Sequence, residues 1–186
     1  VIKRVHGWLL RLFGHIPWAV QRILIGAAKP SFVVGTTAAV TDRQGRILLV
    51  RHSYKPGWST PGGFLNRREA PADAAVREVW EELGIRVTVV GEPVCIVRTE
   101  ERIVELVHRA RPIDEAAATR VTPMSAEIAE ARWFDLDDLP DLSVIARNGL
   151  ESLAAAEAQR VEFDGPPFAG PSLDGAAGRR RISRSG

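Results

Sequence analysis

Residues 63–85 read GFLNRREAPADAAVREVWEELGI, and the fold is decided in this stretch. It leaves a Gly-rich turn, Pro61-Gly62-Gly63, and residues 70–83 are predicted to form a helix that stops at Gly84. Glu78, Glu81 and Glu82 stand at i, i+3 and i+4, so their carboxylates share one helix face. Like charges at this spacing cost about a few tenths of a kcal/mol per pair even on an exposed helix. A divalent cation would neutralise them. Mg²⁺ (or Mn²⁺) suits such a cluster, because it takes hard carboxylate oxygens, keeps several waters and shares its shell with a substrate phosphate. Ala75, Val76, Val79 and Leu83 form an apolar stripe for a sheet, while Trp80 points elsewhere.

The spacing itself carries a resemblance. Gly63, five residues, Glu69, seven residues and then Arg77-Glu78-Val79-Trp80-Glu81-Glu82-Leu83-Gly84-Ile85 resembles the signature box of the Nudix hydrolases, with every fixed position filled and Val79 and Ile85 at the aliphatic positions. The strand pattern around the box extends the resemblance over roughly residues 31–160. It implies an α/β fold, the Nudix αβα sandwich with a mixed sheet. It also implies a Mg²⁺-dependent pyrophosphohydrolase that cleaves a nucleoside diphosphate joined to another moiety, of the nucleoside triphosphate or nucleotide-sugar class. A Nudix-fold nucleotide sensor without catalysis is the alternative; such domains usually lose a box carboxylate, and this chain keeps them all.

Within that resemblance the catalytic set is Glu69, Arg77, Glu81, Glu82 and Glu127, and the metal set is Glu78, Glu81 and Glu82. Glu78 and Glu82, at i and i+4, are the direct ligands, with Glu81 on the same or a second ion. Arg77 and Glu69 are expected to form a salt bridge that fixes the loop against the helix, and Glu69 lies near the helix N-terminus, where negative charge is favoured. Gly62 and Gly63 are the substrate-binding candidates, since their backbone amides can approach a phosphate closely. Similar domains carry an acidic loop before the last strand that supplies a general base or further ligand; Glu127 and Glu130 are the candidates, with Glu127 preferred.

The charge is unevenly distributed. The formal net charge of +2 divides into +5 over residues 1–30, −6 over 31–164 and +3 over 165–186. An acidic centre between basic ends does not resemble a nucleic-acid groove, so no nucleic-acid partner is expected. Three regions follow: a basic amphipathic helical extension (1–30), the Nudix domain (31–163) and a Pro/Gly/Ala-rich, disordered basic tail (164–186). The extension holds Trp8 and Trp18 but is broken by Arg11, His15 and Pro17, which makes it poor as a membrane span or a signal peptide. It suits either an anionic bilayer surface or packing on the domain or on a second subunit, as in a homodimer. A single cysteine, Cys95, excludes an internal disulfide and fits a cytoplasmic location, peripheral at the membrane if the extension binds lipid.

Along the chain, residues 32–41 and 46–51 are predicted to form a hairpin about the turn 42–45. Trp58 is expected to pack locally or line the mouth of the site. Strands are predicted at 85–90, 94–98, 103–110 and 131–134, a loop at 114–124, a helix start at 137–140 and a helix over 143–160. Cys95, inside an apolar run, reads as buried filler, and His108 as an ordinary surface residue on a half-exposed strand.

Overall fold

The computed structural model describes residues 31–162, together with Pro17 and Val20. The expected N-terminal helices and the expected disordered tail lie outside the described residues. Between them the chain runs β1 (Val33–Val40), β2 (Ile47–His52), β3 (Trp58–Ser59), β4 (Gly62–Phe64), α1 (Pro71–Leu83), β5 (Val87–Arg98), β6 (Ile103–Pro112), α2 (Glu115–Ala118), β7 (Ile128–Phe134) and α3 (Val144–Glu162).

The strands divide into two sheets. One has the order β4-β1-β6-β5 and is mixed, because β1 and β6 run parallel. The other, β3-β2-β7, is antiparallel. The expected β1–β2 hairpin is therefore corrected. The two strands share a bridge at Thr41–Ile47 and then part into different sheets. Both edges of β1 are taken, by β4 and by β6, so no ladder remains for β2. The two predicted strands at 85–90 and 94–98 are one strand, β5, whose register shifts between Val90 and Val94.

Helix α1 forms where the sequence placed it. Pro71 starts it, and Gly84 ends it in the left-handed region at φ 64°, its N–H donating to Trp80 O at 2.8 Å. Its apolar stripe, Ala75, Val79 and Leu83, packs with Ala38, Val40, Leu48 and Val50. A second cluster, Ala39, Ile47, Leu49 and Val107, lies on the other face of the same strands and meets α3 through Leu150 and Leu153. Alternation along β1 and β2 thus feeds two cores from adjacent residues.

Further expectations need correction. Helix α3 begins at Val144 rather than near 137, because the preceding residues bridge to β3: Trp58 pairs with Leu142, and Ser143 N–H donates to Trp58 O at 2.8 Å. Ser143 Oγ then accepts from Ala146 N–H at 3.2 Å, the place of an N-cap. The loop 114–124 contains the short helix α2, whose Ala118 O accepts from Trp133 Nε1–H at 2.9 Å. Cys95 is exposed, since alternation on the edge strand β5 sends Val94 and Ile96 inward and Cys95 and Val97 outward. His108 is buried, because β6 lies between β1 and β5. Among the described residues no helix is long and apolar enough to cross a membrane.

Candidate active site

Arg77 organises the box. Its Nε and Nη2 grip Glu69 at 2.7 and 3.0 Å, and Nη1 donates to Glu78 and Glu81, each at 2.8 Å. A further bond from Nη2 to Phe64 O, at 3.1 Å, ties β4 to the helix. The planar guanidinium can make these contacts at once because its donors are set in a fixed fork. Arg77 and the Asn66 backbone N–H together draw the Glu69 carboxyl down to about 2. The guanidinium itself is held charged by its carboxylate partners, Glu69 first.

Glu82 sits in the opposite electrostatic condition. It is 7% exposed, and its Oε2 has no hydrogen-bond partner among the described residues. Burial and then the neighbouring Glu78 push its carboxyl up to about 8, against the pull of the Gly62 backbone N–H. Glycine is required beside this pair. A Cβ at Gly63 would collide with the Glu78 carboxylate, and one at Gly62 would lie 2.7 Å from Thr37 Cα. The Gly62-Gly63 backbone is thereby pressed between β1 and the carboxylates of α1.

Glu78 and Glu82 open onto a cavity of about 510 Å³ that also exposes Arg77, Gly62, Gly63 and Glu127. Glu127 comes from the loop before β7 and accepts from Tyr54 Oη–H at 3.4 Å. Glu130 is diverted: it pairs with Arg51 at 2.9 Å and with Arg132, and the Arg51 bond holds its carboxyl down. Glu69 and Glu81 reach the cavity through Arg77.

Sequence reasoning passed over Thr37, His52, Lys55, Arg98 and Glu105, which line the same cavity. The signal available was strand alternation, which puts Gly35, Thr37 and Ala39 on one side of β1 but does not say which side is the site. Four of the five described residues that carry an unpartnered buried side-chain nitrogen or oxygen face this cavity: Thr37 Oγ1, His52 Nδ1, Glu82 Oε2 and Arg98 Nε. The fifth, His108, lies elsewhere on β6.

The donor set fits a hard divalent cation. Glu82 offers a buried oxygen that has no partner among the described residues, beside a second carboxylate that raises its proton affinity. Among the described residues no three ligating side chains are already gathered about one point, because Glu78 and Glu81 are turned to Arg77.

Comparison with known proteins agrees with this geometry. The model of the NUDIX domain family matches residues 31–153. A MutT-like protein of Streptomyces ambofaciens is 32% identical over 73% of this chain and 86% of its own length. A CMP-5′-(N-acetyl-N-hydroxy-3-aminopropyl)phosphonate hydrolase of Streptomyces rubellomurinus is 33% identical over 55% of this chain, which spans about half (52%) of that relative. Among solved structures, an ADP-ribose pyrophosphatase of Streptococcus suis superposes with a TM-score of 0.53 at 31% identity, covering 69% of this chain and 92% of that one. The chain belongs to the NUDIX domain family and is a pyrophosphohydrolase of the Nudix hydrolase kind.

Proposed function

We propose that the protein hydrolyses the pyrophosphate linkage of a nucleoside diphosphate joined to a second moiety, in a reaction that depends on Mg²⁺ or Mn²⁺. The observation that carries this reading is the gathering of Thr37 Oγ1, His52 Nδ1, Glu82 Oε2 and Arg98 Nε, all unpartnered among the described residues, around one cavity beside the box carboxylates. Unsatisfied buried polar groups are costly in a folded protein, and their concentration marks a place where a polar ligand completes the hydrogen bonding. Two similar proteins, a CMP-linked phosphonate hydrolase and an ADP-ribose pyrophosphatase, each carry a nucleotide in the substrate for which they are named.

Glu78 and Glu82, with Glu81 beside them, would hold the cation. When bound, it supplies Lewis acidity toward the phosphate oxygens and makes a bound water more acidic. The protein's own groups do the rest. Arg77 holds Glu78 and Glu81 in place and anchors Glu69, so that the loop before α1 cannot drift from the carboxylates. Gly62 and Gly63 keep side chains out of the way of the phosphates, the Gly62 N–H being held by Glu82, and Lys55 brings a positive charge to the same cavity. Glu127, which forms no ion pair among the described residues, would take the proton from the attacking water.

The test is phosphate release from a panel of nucleoside triphosphates and nucleoside diphosphate derivatives, with Mg²⁺, Mn²⁺ or EDTA, with and without a coupled phosphatase. Cleavage that needs the metal and disappears in Glu82→Gln supports the reading. Cleavage that continues in EDTA, or at a normal rate in Glu82→Gln, refutes it.

A further inference from the structure

The cavity that holds the box carboxylates has a further buried carboxylate in its lining. Glu105, on β6, is 7% exposed and lies directly over Gly35 of β1, its register partner; a Cβ at residue 35 would sit 2.9 Å from Glu105 Oε2. Glycine at that position makes the room the carboxylate occupies. Among the described residues no group donates a hydrogen bond to Glu105, although Arg98 lines the same wall from β5. Arg98 instead gives its Nη2 to Glu101 at 2.8 Å and leaves Nε buried without a partner. An acceptor and a donor thus face one cavity, each unsatisfied.

The placement matches a nucleotide held at the box. Gly62, on β4, pairs with Thr37, and Glu105 is set two residues along and two strands across from Gly62, since β1 lies between β4 and β6. Strand rise and spacing make this about 12 Å. Phe64, the register partner of Gly35 across β4, lines the cavity beside Glu105 and is 58% exposed, an aromatic face for a flat ring. Burial raises the proton affinity of Glu105 against the pull of Arg98 and Lys55, so the carboxylate gains from a hydrogen-bond donor that the ligand brings.

We propose that Glu105 and Arg98 form the specificity wall of the site, the Glu105 carboxylate accepting a hydrogen bond from the exocyclic amino group of a nucleobase and Arg98 Nε–H donating to the acceptor beside it. This rests on the nucleotide reading above and narrows it: the substrate carries an amino base, as in adenine, cytosine or guanine, and not uracil, thymine or hypoxanthine. A site built to hydrogen-bond an amino group disfavours the analogue lacking it, because the buried carboxylate is then left facing a lone pair.

The test is isothermal titration of the full chain with matched nucleoside monophosphates, AMP against IMP and CMP against UMP, for wild type and Glu105→Gln, with thermal melts to confirm folding. Wild type is expected to bind AMP and CMP roughly tenfold or more tighter than their partners, the size set by a hydrogen bond to a charged group. Glu105→Gln, which adds a donor at the same place, is expected to bring both ratios to within about twofold. Wild-type ratios near one overturn the proposal, whatever the variant does, as does a variant that folds and keeps the wild-type ratios. The outcome is separable from the proposed activity. Metal-dependent cleavage without amino-base preference removes this inference alone, and Glu105-dependent amino-base binding without any cleavage removes the hydrolase reading alone.

Discussion

Helix α1 presents two buried faces that differ in kind though they are one residue apart. Val79, Ala75 and Leu83 press into a dry cluster with Leu48 and Val50, where dispersion and the removal of apolar surface from water hold the helix down. Glu78 and Glu82 turn to the cavity, where Glu82 is buried nearly as deeply but has one oxygen without a partner among the described residues. The first face is satisfied by the protein alone. The second leaves Glu82 Oε2 without a partner among the described residues, and the stability of the first is what permits that cost. Their difference separates what keeps the chain folded from what the chain is folded for.

Substitutions on the two faces should separate these roles. Glu82→Gln is expected to lower turnover on the order of 10³-fold, the scale of removing a principal electrostatic group from a site, while thermal melts in EDTA show no loss of stability. Steady-state kinetics beside calorimetry reads both, and a variant that is unstable rather than inactive would erase the distinction. On the dry face, Leu48→Ala should cost about 3 kcal/mol in urea unfolding, with the folded fraction still active in proportion to its amount. Next in size is Arg77→Lys. The ammonium cannot hold Glu69 by two bonds and still reach Glu78 and Glu81, so kcat/KM should fall roughly 10- to 100-fold; equal kcat/KM would show that Arg77 is only a surface charge.

The remaining effect is a slope. Glu82 has its folded proton affinity raised to about 8, above the value near 4.5 of an unfolded glutamate. Between those values the folded state holds the extra proton, so the associated stability is fully present below about 4.5 and is lost as pH rises through about 8. Melting curves of the protein in EDTA should therefore decline across this window relative to those of Glu82→Gln. A parallel pair of curves would place Glu82 in a solvated setting like that of any surface carboxylate.

Much of this comparison was legible beforehand, for a physical reason. The dry stripe and the carboxylate face of α1 follow from 3.6-residue periodicity, and the end of the helix from a single glycine, because helical contacts lie within four residues. Glu127 reaches the cavity while Glu130 does not, and the sequence order alone could not separate them with any force. The choice depends on Arg51 of β2 and Arg132 of β7 being available to claim Glu130. His108 and Cys95 depart from expectation for the same kind of reason. An alternating strand states which residues share a side, but only its neighbours in the sheet decide whether that side meets solvent.

By itself, then, the sequence determined the box helix, its cap, the pairing of Arg77 with Glu69 by resemblance, and the acidic character of the site. These rest on residues close along the chain, where geometry is set by backbone periodicity. Only the tertiary structure decided that β1 and β2 part into two sheets and that β6 lies parallel to β1. It also decided that Glu105 stands over Gly35 facing the same cavity as Glu82. Those juxtapositions join residues some 70 positions apart in the case of Gly35 and Glu105, and no local periodicity encodes a contact of that span. It arises from which strand edges remain free to pair once the others are taken.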